Sequence, residues 1–140
     1  MNSLNLDKIA QDKAREMLGN KDKKPDIETL ERLVTKALGV LQSQGVYALM
    51  LFLFSRTSKE KETAPFIRKA LYKALLKIPN FENNGDLQSF MTNDSDHKKV
   101  TEWYSDNIAK DLNTLLLVRD LYEQTLIYAR FHAKAAKEAS

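Results

Sequence analysis

The last part of this chain lacks the residues that normally interrupt a helix. Residues 97–138 contain no glycine and no proline, the two residues that most disfavour a helix interior. The whole chain of 140 residues has only four glycines and three prolines. Apolar residues in 27–41 and 67–78 recur three and four positions apart, as on one face of an α-helix. The pattern predicts an all-α protein with a long C-terminal helix over residues 97–138.

Two segments are more apolar than a surface helix. Residues 46–54, including Leu51 near their centre, are apolar at every position, and a helix over 112–128 would carry apolar residues on nearly every side. Such a helix has to be enclosed, either inside a bundle or between two chains. We therefore expect residues 1–140 to form a single-domain bundle of about five to six helices, with these segments at its centre.

Glycine and a capping residue indicate where the first helices end and begin. The amphipathic pattern of residues 4–18 stops at Gly19, a typical helix C-terminus. Asp26 is a typical N-cap for the helix that follows. Gly45 predicts a break or a bend, although a helix continuing to Arg56 fits the same pattern.

Proline and polar residues indicate the boundaries of the central region. Thr63 followed two positions later by Pro65 predicts a helix start, and Pro79 predicts its end. Residues 79–96 are rich in Asn, Asp, Ser and Gly. We expect them to form the longest loop, with at most one helical turn around 87–91.

The sequence shows no arrangement of residues typical of catalysis or metal binding. There is no cysteine, which excludes thiolate chemistry and cysteine-ligated metals. His97 follows Asp94 and Asp96, which we interpret as helix-capping residues rather than metal ligands. His132 has no acidic residue within four positions, so its expected role is electrostatic or in packing. We predict no enzyme activity, no cofactor and no metal site; an enzyme using either histidine is the weakest alternative.

Nothing in the sequence predicts a membrane protein. The apolar run 46–54 is shorter than the roughly 20 residues that span a bilayer, and it follows the polar residues 42–44. The N-terminal residues do not combine a basic region with an apolar one, as a signal peptide does. We expect a cytoplasmic protein, which also fits the absence of cysteine.

Charge is unevenly distributed along the chain. Residues 32–81 are strongly basic and residues 82–128 are acidic. Lys69, Lys73 and Lys77 are spaced four apart, so they form one strip of a helix. At 1.5 Å per residue the strip is about 12 Å long, roughly two steps along a nucleic-acid backbone. This pattern favours contacts with phosphate, while a solvated lysine face is the structural alternative.

The candidate nucleic-acid-binding residues are the cations in or near this strip and one tyrosine beside it. They are Arg56, Lys59, Arg68, Lys69, Tyr72, Lys73 and Lys77. Tyr72 would either stack on a base or cover the edge of the core. No sequence motif of a base-reading domain is present, so binding would be to the backbone.

Two stretches resemble a known family. The sequences LVTKALGVLQSQGVYALMLFLFSR and LYEQTLIYARFHAKA resemble the small all-helical subunit of CRISPR interference complexes, especially those of type III. The resemblance implies a non-catalytic scaffold. Its copies would stack along a guide-RNA complex, contact the guide–target duplex through its backbone and leave cleavage to neighbouring subunits. It assigns no role to any single residue.

A different class of function fits the same sequence. The apolar segments would equally suit a helical protein–protein adaptor or an obligate homodimer without a nucleic-acid role. Oligomerisation would then use the 112–128 helix.

Overall fold

Seven α-helices make up most of the computed structural model, which describes residues 5–139. They are α1 (Leu6–Glu16), α2 (Ile27–Gln44), α3 (Val46–Phe54), α4 (Ser58–Leu76), α5 (Gly85–Thr92), α6 (His97–Tyr104) and α7 (Leu112–Ala139). No strand occurs among the described residues, so the predicted all-α fold with a long C-terminal helix is confirmed. The structure has more helices than the roughly five to six expected for such a bundle. One reason is that the predicted loop 79–96 contains α5, and the other is that the predicted last helix is divided into α6 and α7.

The longest helix, α7, packs against α1 and α2. It runs antiparallel to α2. The guanidinium of Arg119 donates to the carbonyl of Gln42 at 3.0 Å, and near the other end Nζ of Lys137 lies 3.2 Å from Oε1 of Glu31. Helix α4 packs against α1, α2, α3 and α5. One continuous core takes buried apolar residues from all seven helices.

Helix α3 is only partly enclosed. Its buried residues are Val46, Leu49, Met50 and Leu53. On the opposite side Tyr47 is 43% and Leu51 41% exposed. The predictions that this segment is buried on all sides, and that Leu51 lies in the core, are therefore wrong. The reason is that α2, α4 and α6 pack against α3 and leave one strip of its surface uncovered.

The start of α7 is exposed as well. Leu112 is 65% and Leu116 47% exposed, whereas Val118, Leu121 and Tyr122 are buried. The expectation that the whole 112–128 segment is enclosed is thus wrong for the side of its first two turns that carries Leu112 and Leu116.

Gly45 and Asp26 act as predicted. Gly45 separates α2 from α3 with φ of +97°, a conformation that other residues rarely adopt. The carboxylate of Asp26 accepts a hydrogen bond from the backbone N–H of Thr29 at 3.1 Å and caps α2. The pattern predicted over residues 4–18 forms a helix over Leu6–Glu16, while Leu4 lies outside the described residues.

Helix α4 begins earlier than predicted. It starts at Ser58, so Pro65 lies inside it and not in its first turn. A proline there removes the hydrogen bond to the carbonyl four residues before, and its ring crowds that carbonyl, so the helix needs support from elsewhere. Contacts with α2 stabilise the turns of α4 that precede Pro65. The carboxylate of Glu60 lies 2.8 Å from Nζ of Lys36 and 3.5 Å from Nε of Arg32. These distant contacts outweigh the local proline signal.

The predicted helix over 97–138 is interrupted. Residues Ser105–Ala109 form a π-helical turn, and a new helix starts after Asp111. The carboxylate of Asp111 accepts hydrogen bonds from the hydroxyl and the N–H of Thr114, at 2.5 and 3.4 Å. This is N-cap geometry, which can restart a helix without glycine or proline.

None of the described helices combines the length and the apolarity required to cross a bilayer.

Candidate nucleic-acid interface

One side of α4 carries lysines at regular helical spacing. Lys69, Lys73 and Lys77 are four residues apart, and Lys59 lies on the same side near the start of the helix. Lys59, Lys69 and Lys77 are exposed, and Lys73 is half-buried. These four residues are called the lysine face below.

Lys73 is half-buried because it connects α4 to α1. Its Nζ lies 3.1 Å from Oε1 of Glu16, and Nζ of Lys13 lies 2.6 Å from Oε2 of the same carboxylate. Burial opposes the ionisation of Glu16, but the hydrogen bonds from the two lysines outweigh it and lower the pKa of this carboxyl. The charge of Lys73 is therefore compensated within the protein.

Within residues 5–139 the other three lysines of the face are not paired in this way, although the charge of Lys59 interacts with that of Asp26. Among the residues that the structure describes, Lys59, Lys69 and Lys77 have no carboxylate within the 4.0 Å of an ion pair. Exposed cations without protein partners are the groups that attract phosphate most strongly.

Two predicted contact residues, Arg68 and Tyr72, belong to the interior instead. Arg68 donates from Nε to Oδ2 of Asp94 at 2.6 Å and from Nη1 to the carbonyl of Leu53 at 3.1 Å, and its guanidinium lies 4.2 Å from the centre of the Phe54 ring. Tyr72 is fully buried, and its hydroxyl donates to the same oxygen of Asp94 at 2.9 Å. Burial, with the nearby Tyr104 and Asp94, raises the pKa of Tyr72 well above its usual range. Neither side chain is free to contact nucleic acid, and their assignment is corrected.

Arg56 is also held by the protein. Its Nε donates to the carbonyl of Phe52 at 2.9 Å, its guanidinium lies 3.8 Å from the centre of the Phe52 ring, and Nη1 lies 3.3 Å from Glu60. The side chain is 23% exposed. Arg56 thus joins Arg32 and Lys36 around one carboxylate and adds little free charge to the interface.

The structure adds a cleft of about 370 Å³ that the sequence did not indicate. One wall is α4, with Phe66, Lys69 and Lys73. A second wall is the connection between α1 and α2, with Gly19 and Lys23. The lysine face and this cleft therefore share two residues.

The connection that forms the second wall has a fixed shape. Gly19 has φ of +79°, and a Cβ at this position would lie 2.4 Å from the carbonyl oxygen of Lys23. Oδ1 of Asn20 accepts hydrogen bonds from the N–H groups of Asp22 and Lys23, both at 2.9 Å. The cleft is thus preformed by a turn that only glycine accommodates.

Spacing along α4 could have revealed Phe66. It lies three residues before Lys69 and seven before Lys73, so it shares their side of the helix. Glu62 lies three positions after Lys59 and four before Phe66, so it is on the same side of the helix. It also lines the cleft. Lys23 comes from a separate segment, and no local pattern in the sequence places it near α4.

The two histidines lie on different helices, His97 on α6 and His132 on α7. His97 is the first residue of α6 and its ring centre lies 6.3 Å from that of Phe54, while the preceding Asp96 caps the helix by accepting from the N–H of Lys99 at 3.2 Å. His132 is half-buried on α7. Within residues 5–139, no group of three His, Asp or Glu side chains is arranged to hold a metal ion.

Comparisons with protein-family models, curated proteins and solved structures found no match to this chain.

Proposed function

We propose that this chain is a non-catalytic structural subunit of a CRISPR ribonucleoprotein complex that contacts the backbone of the guide or target nucleic acid. The observation that carries the proposal is the lysine face, where Lys59, Lys69 and Lys77 are exposed and form no ion pair within residues 5–139. Lysine binds phosphate as a point charge and does not select a base. The protein would act in the cytoplasm beside the other subunits of the complex.

The CRISPR assignment is supported by the two stretches that resemble the small subunit of such complexes. They lie mainly on α2, α3 and α7. The exposed apolar residues of α3 and α7, Tyr47, Leu51, Leu112 and Leu116, would contact neighbouring subunits. The lysine face is on another helix and would remain available for nucleic acid.

The backbone contact is tested by charge reversal. Lys59, Lys69 and Lys77 are changed together to Glu, and binding to labelled RNA is measured by fluorescence anisotropy over a range of salt concentrations. We expect the triple variant to lose at least about tenfold in affinity at low salt, and the wild-type affinity to fall steeply as salt rises.

The matched control changes Lys98, Lys99 and Lys110 to Glu. These lysines are also exposed and the net charge changes by the same amount, but they lie outside the lysine face. We expect only a small loss with this control. Equal affinities of the two triple variants would exclude the lysine face as the binding surface.

The assignment to a CRISPR complex needs a separate experiment. The tagged protein is purified from its own cells under mild conditions, and the RNA that accompanies it is sequenced. We expect guide RNA with repeat-derived ends, together with other subunits of the complex. Recovery of the protein alone, or with bulk cellular RNA only, would contradict this part of the proposal.

A second candidate function is a helical adaptor or homodimer without nucleic acid. It is favoured by the exposed apolar residues of α3 and α7, which in many proteins mark an interaction surface. Light scattering distinguishes the two: the homodimer predicts a concentration-dependent mass that returns to the monomer value in a Leu112→Asp, Leu116→Asp variant. A monomer at all concentrations would exclude self-association through α7.

A further inference from the structure

We propose that the cleft beside the lysine face is a subsite for one unstacked nucleotide of a single strand. The base would lie against Phe66, and the adjoining phosphates would contact Lys69 and Lys23. The inference rests on the proposed binding of nucleic acid and adds to it a place for a base, which backbone contacts alone would not provide.

Phe66 is the first reason. Unlike Phe52 and Phe54, it is not one of the half-buried apolar residues that pack on the core, and in the described chain no aromatic ring pairs with it. It is half-buried on α4 and lines the cleft. An aromatic ring at such a position offers a face on which any base can stack.

The charges of the cleft are the second reason. The charged residues that line the cleft are Lys23, Lys69 and Lys73 and the carboxylates Glu16 and Glu62. Glu16 is bound by Lys13 and Lys73, so neither it nor Lys73 is free for a ligand. Among the residues that line the cleft, the positive charges of Lys23 and Lys69 are then opposed only by the negative charge of Glu62. The free charge is positive, and Glu62 disfavours phosphate near its own end of the cleft.

Size and shape are the third reason. The cleft of about 370 Å³ falls within the range of about 300–1,000 Å³ that is typical of small-ligand sites. Its wall at Gly19 is fixed by the turn described above. A base inside a duplex is paired and stacked, so only a single-stranded or extruded nucleotide has a free base to insert.

The test compares a labelled single-stranded oligonucleotide with the blunt duplex of the same sequence, by fluorescence anisotropy. Phe66→Ala should weaken single-strand binding about tenfold, since base–aromatic stacking of this kind is worth roughly that factor or more. Duplex binding should not change. The dependence on salt should also stay the same, because no phosphate contact is lost.

Three further variants make the result specific. Phe66→Trp keeps an aromatic face and should retain single-strand binding. Phe66→Leu keeps an apolar side chain without that face and should show the same loss as Phe66→Ala, so it replaces the alanine variant if that one does not fold. Phe131→Ala removes another ring, 66% exposed on α7, which does not line the cleft, and should change nothing.

The outcomes separate this inference from the proposed function. If the wild type binds single strands and the Phe66 variants bind them equally well, the nucleotide subsite is excluded and the lysine face is unaffected. An equal loss for single strand and duplex would also exclude the subsite. If the wild type binds neither nucleic acid at low salt, the proposed function fails and this inference fails with it.

Discussion

The guanidinium of Arg68 and the carboxylate of Asp94 form a paired contact that joins α4 to the connection between α5 and α6. Nε lies 2.6 Å from Oδ2 and Nη2 lies 3.4 Å from Oδ1. The side chains are only 11% and 20% exposed. Because Tyr72 donates to the same carboxylate, one acidic residue satisfies two polar groups of α4. The sequence predicted that Arg68 belongs to a binding surface because it is charged. Its pairing with Asp94 shows that it stabilises the fold instead.

Asp94→Ala should destabilise the protein by about 3 kcal/mol, because it leaves the guanidinium of Arg68 largely buried without a counter-ion. The free energy of unfolding is measured by urea denaturation. The control is Asp86→Ala, which removes an exposed carboxylate in the first turn of α5 that forms no ion pair in the described chain and should cost less than about 1 kcal/mol, the loss of a favourable interaction with the helix dipole. Similar losses in both variants would show that the Arg68–Asp94 contact does not stabilise the fold.

Two glycines should respond to alanine in opposite directions. Gly19→Ala should cost about 1–3 kcal/mol, because φ is +79° and the new Cβ would collide with the carbonyl of Lys23. Gly39→Ala should stabilise by about 0.5–1 kcal/mol, since Gly39 lies inside α2 with open space around the added methyl group. Thermal or chemical unfolding measures both. A neutral Gly19→Ala would contradict the strained turn at the cleft.

Glu60→Gln should reduce stability in a pH-dependent way. The hydrogen bond from Lys36, followed by those from Arg56 and Arg32, lowers the pKa of Glu60 below its ordinary 4.5. A lowered pKa stabilises the folded state above the unfolded pKa, and this contribution disappears as the pH falls through the folded pKa. We expect the free energy of unfolding of the wild type to exceed that of the variant by about 1 kcal/mol at neutral pH, a typical value for such an ion-pair cluster.

The comparison for Glu60 is made by urea unfolding of both proteins over a series of pH values. The difference between their free energies of unfolding should remain constant at neutral pH and decrease toward zero only below pH 4.5. A difference that persists unchanged in acid would mean that Glu60 acts through packing and not through its charge.

The exposed side of α3 can be checked with a matched pair of substitutions. Leu51→Asp should leave the fold intact, with a change below about 1 kcal/mol, because Leu51 is 41% exposed. Leu49→Asp, two residues away and fully buried, should cost at least about 4 kcal/mol, since it places an unpaired carboxylate in the core. Circular dichroism and urea unfolding measure both. Unfolding of the Leu51 variant would show that this side of α3 is covered in solution.

The features of this fold that depend on nearby residues were predictable. Helical periodicity and the scarcity of glycine and proline were enough for an all-α fold, and the start at Asp26 and the break at Gly45 follow from local capping and backbone preferences. The same reasoning placed Lys69, Lys73 and Lys77 on one side of a helix. It failed at residues 105–111, where Asp111 restarts a helix in a stretch without the usual breakers.

The sequence by itself determined the all-α fold class, the main helices and the strip of lysines, because each depends on residues within a few turns of one another. The tertiary structure decided what each charge does. It paired Arg68 with Asp94 and Lys73 with Glu16, which are 26 and 57 positions away, and it left Lys69 without an ion pair among the residues that the structure describes. It also brought Lys23 and Phe66 together in the lining of one cleft. The physical reason is that an ion pair or a cleft depends on distance in space, which the packing of separate helices sets and local periodicity does not.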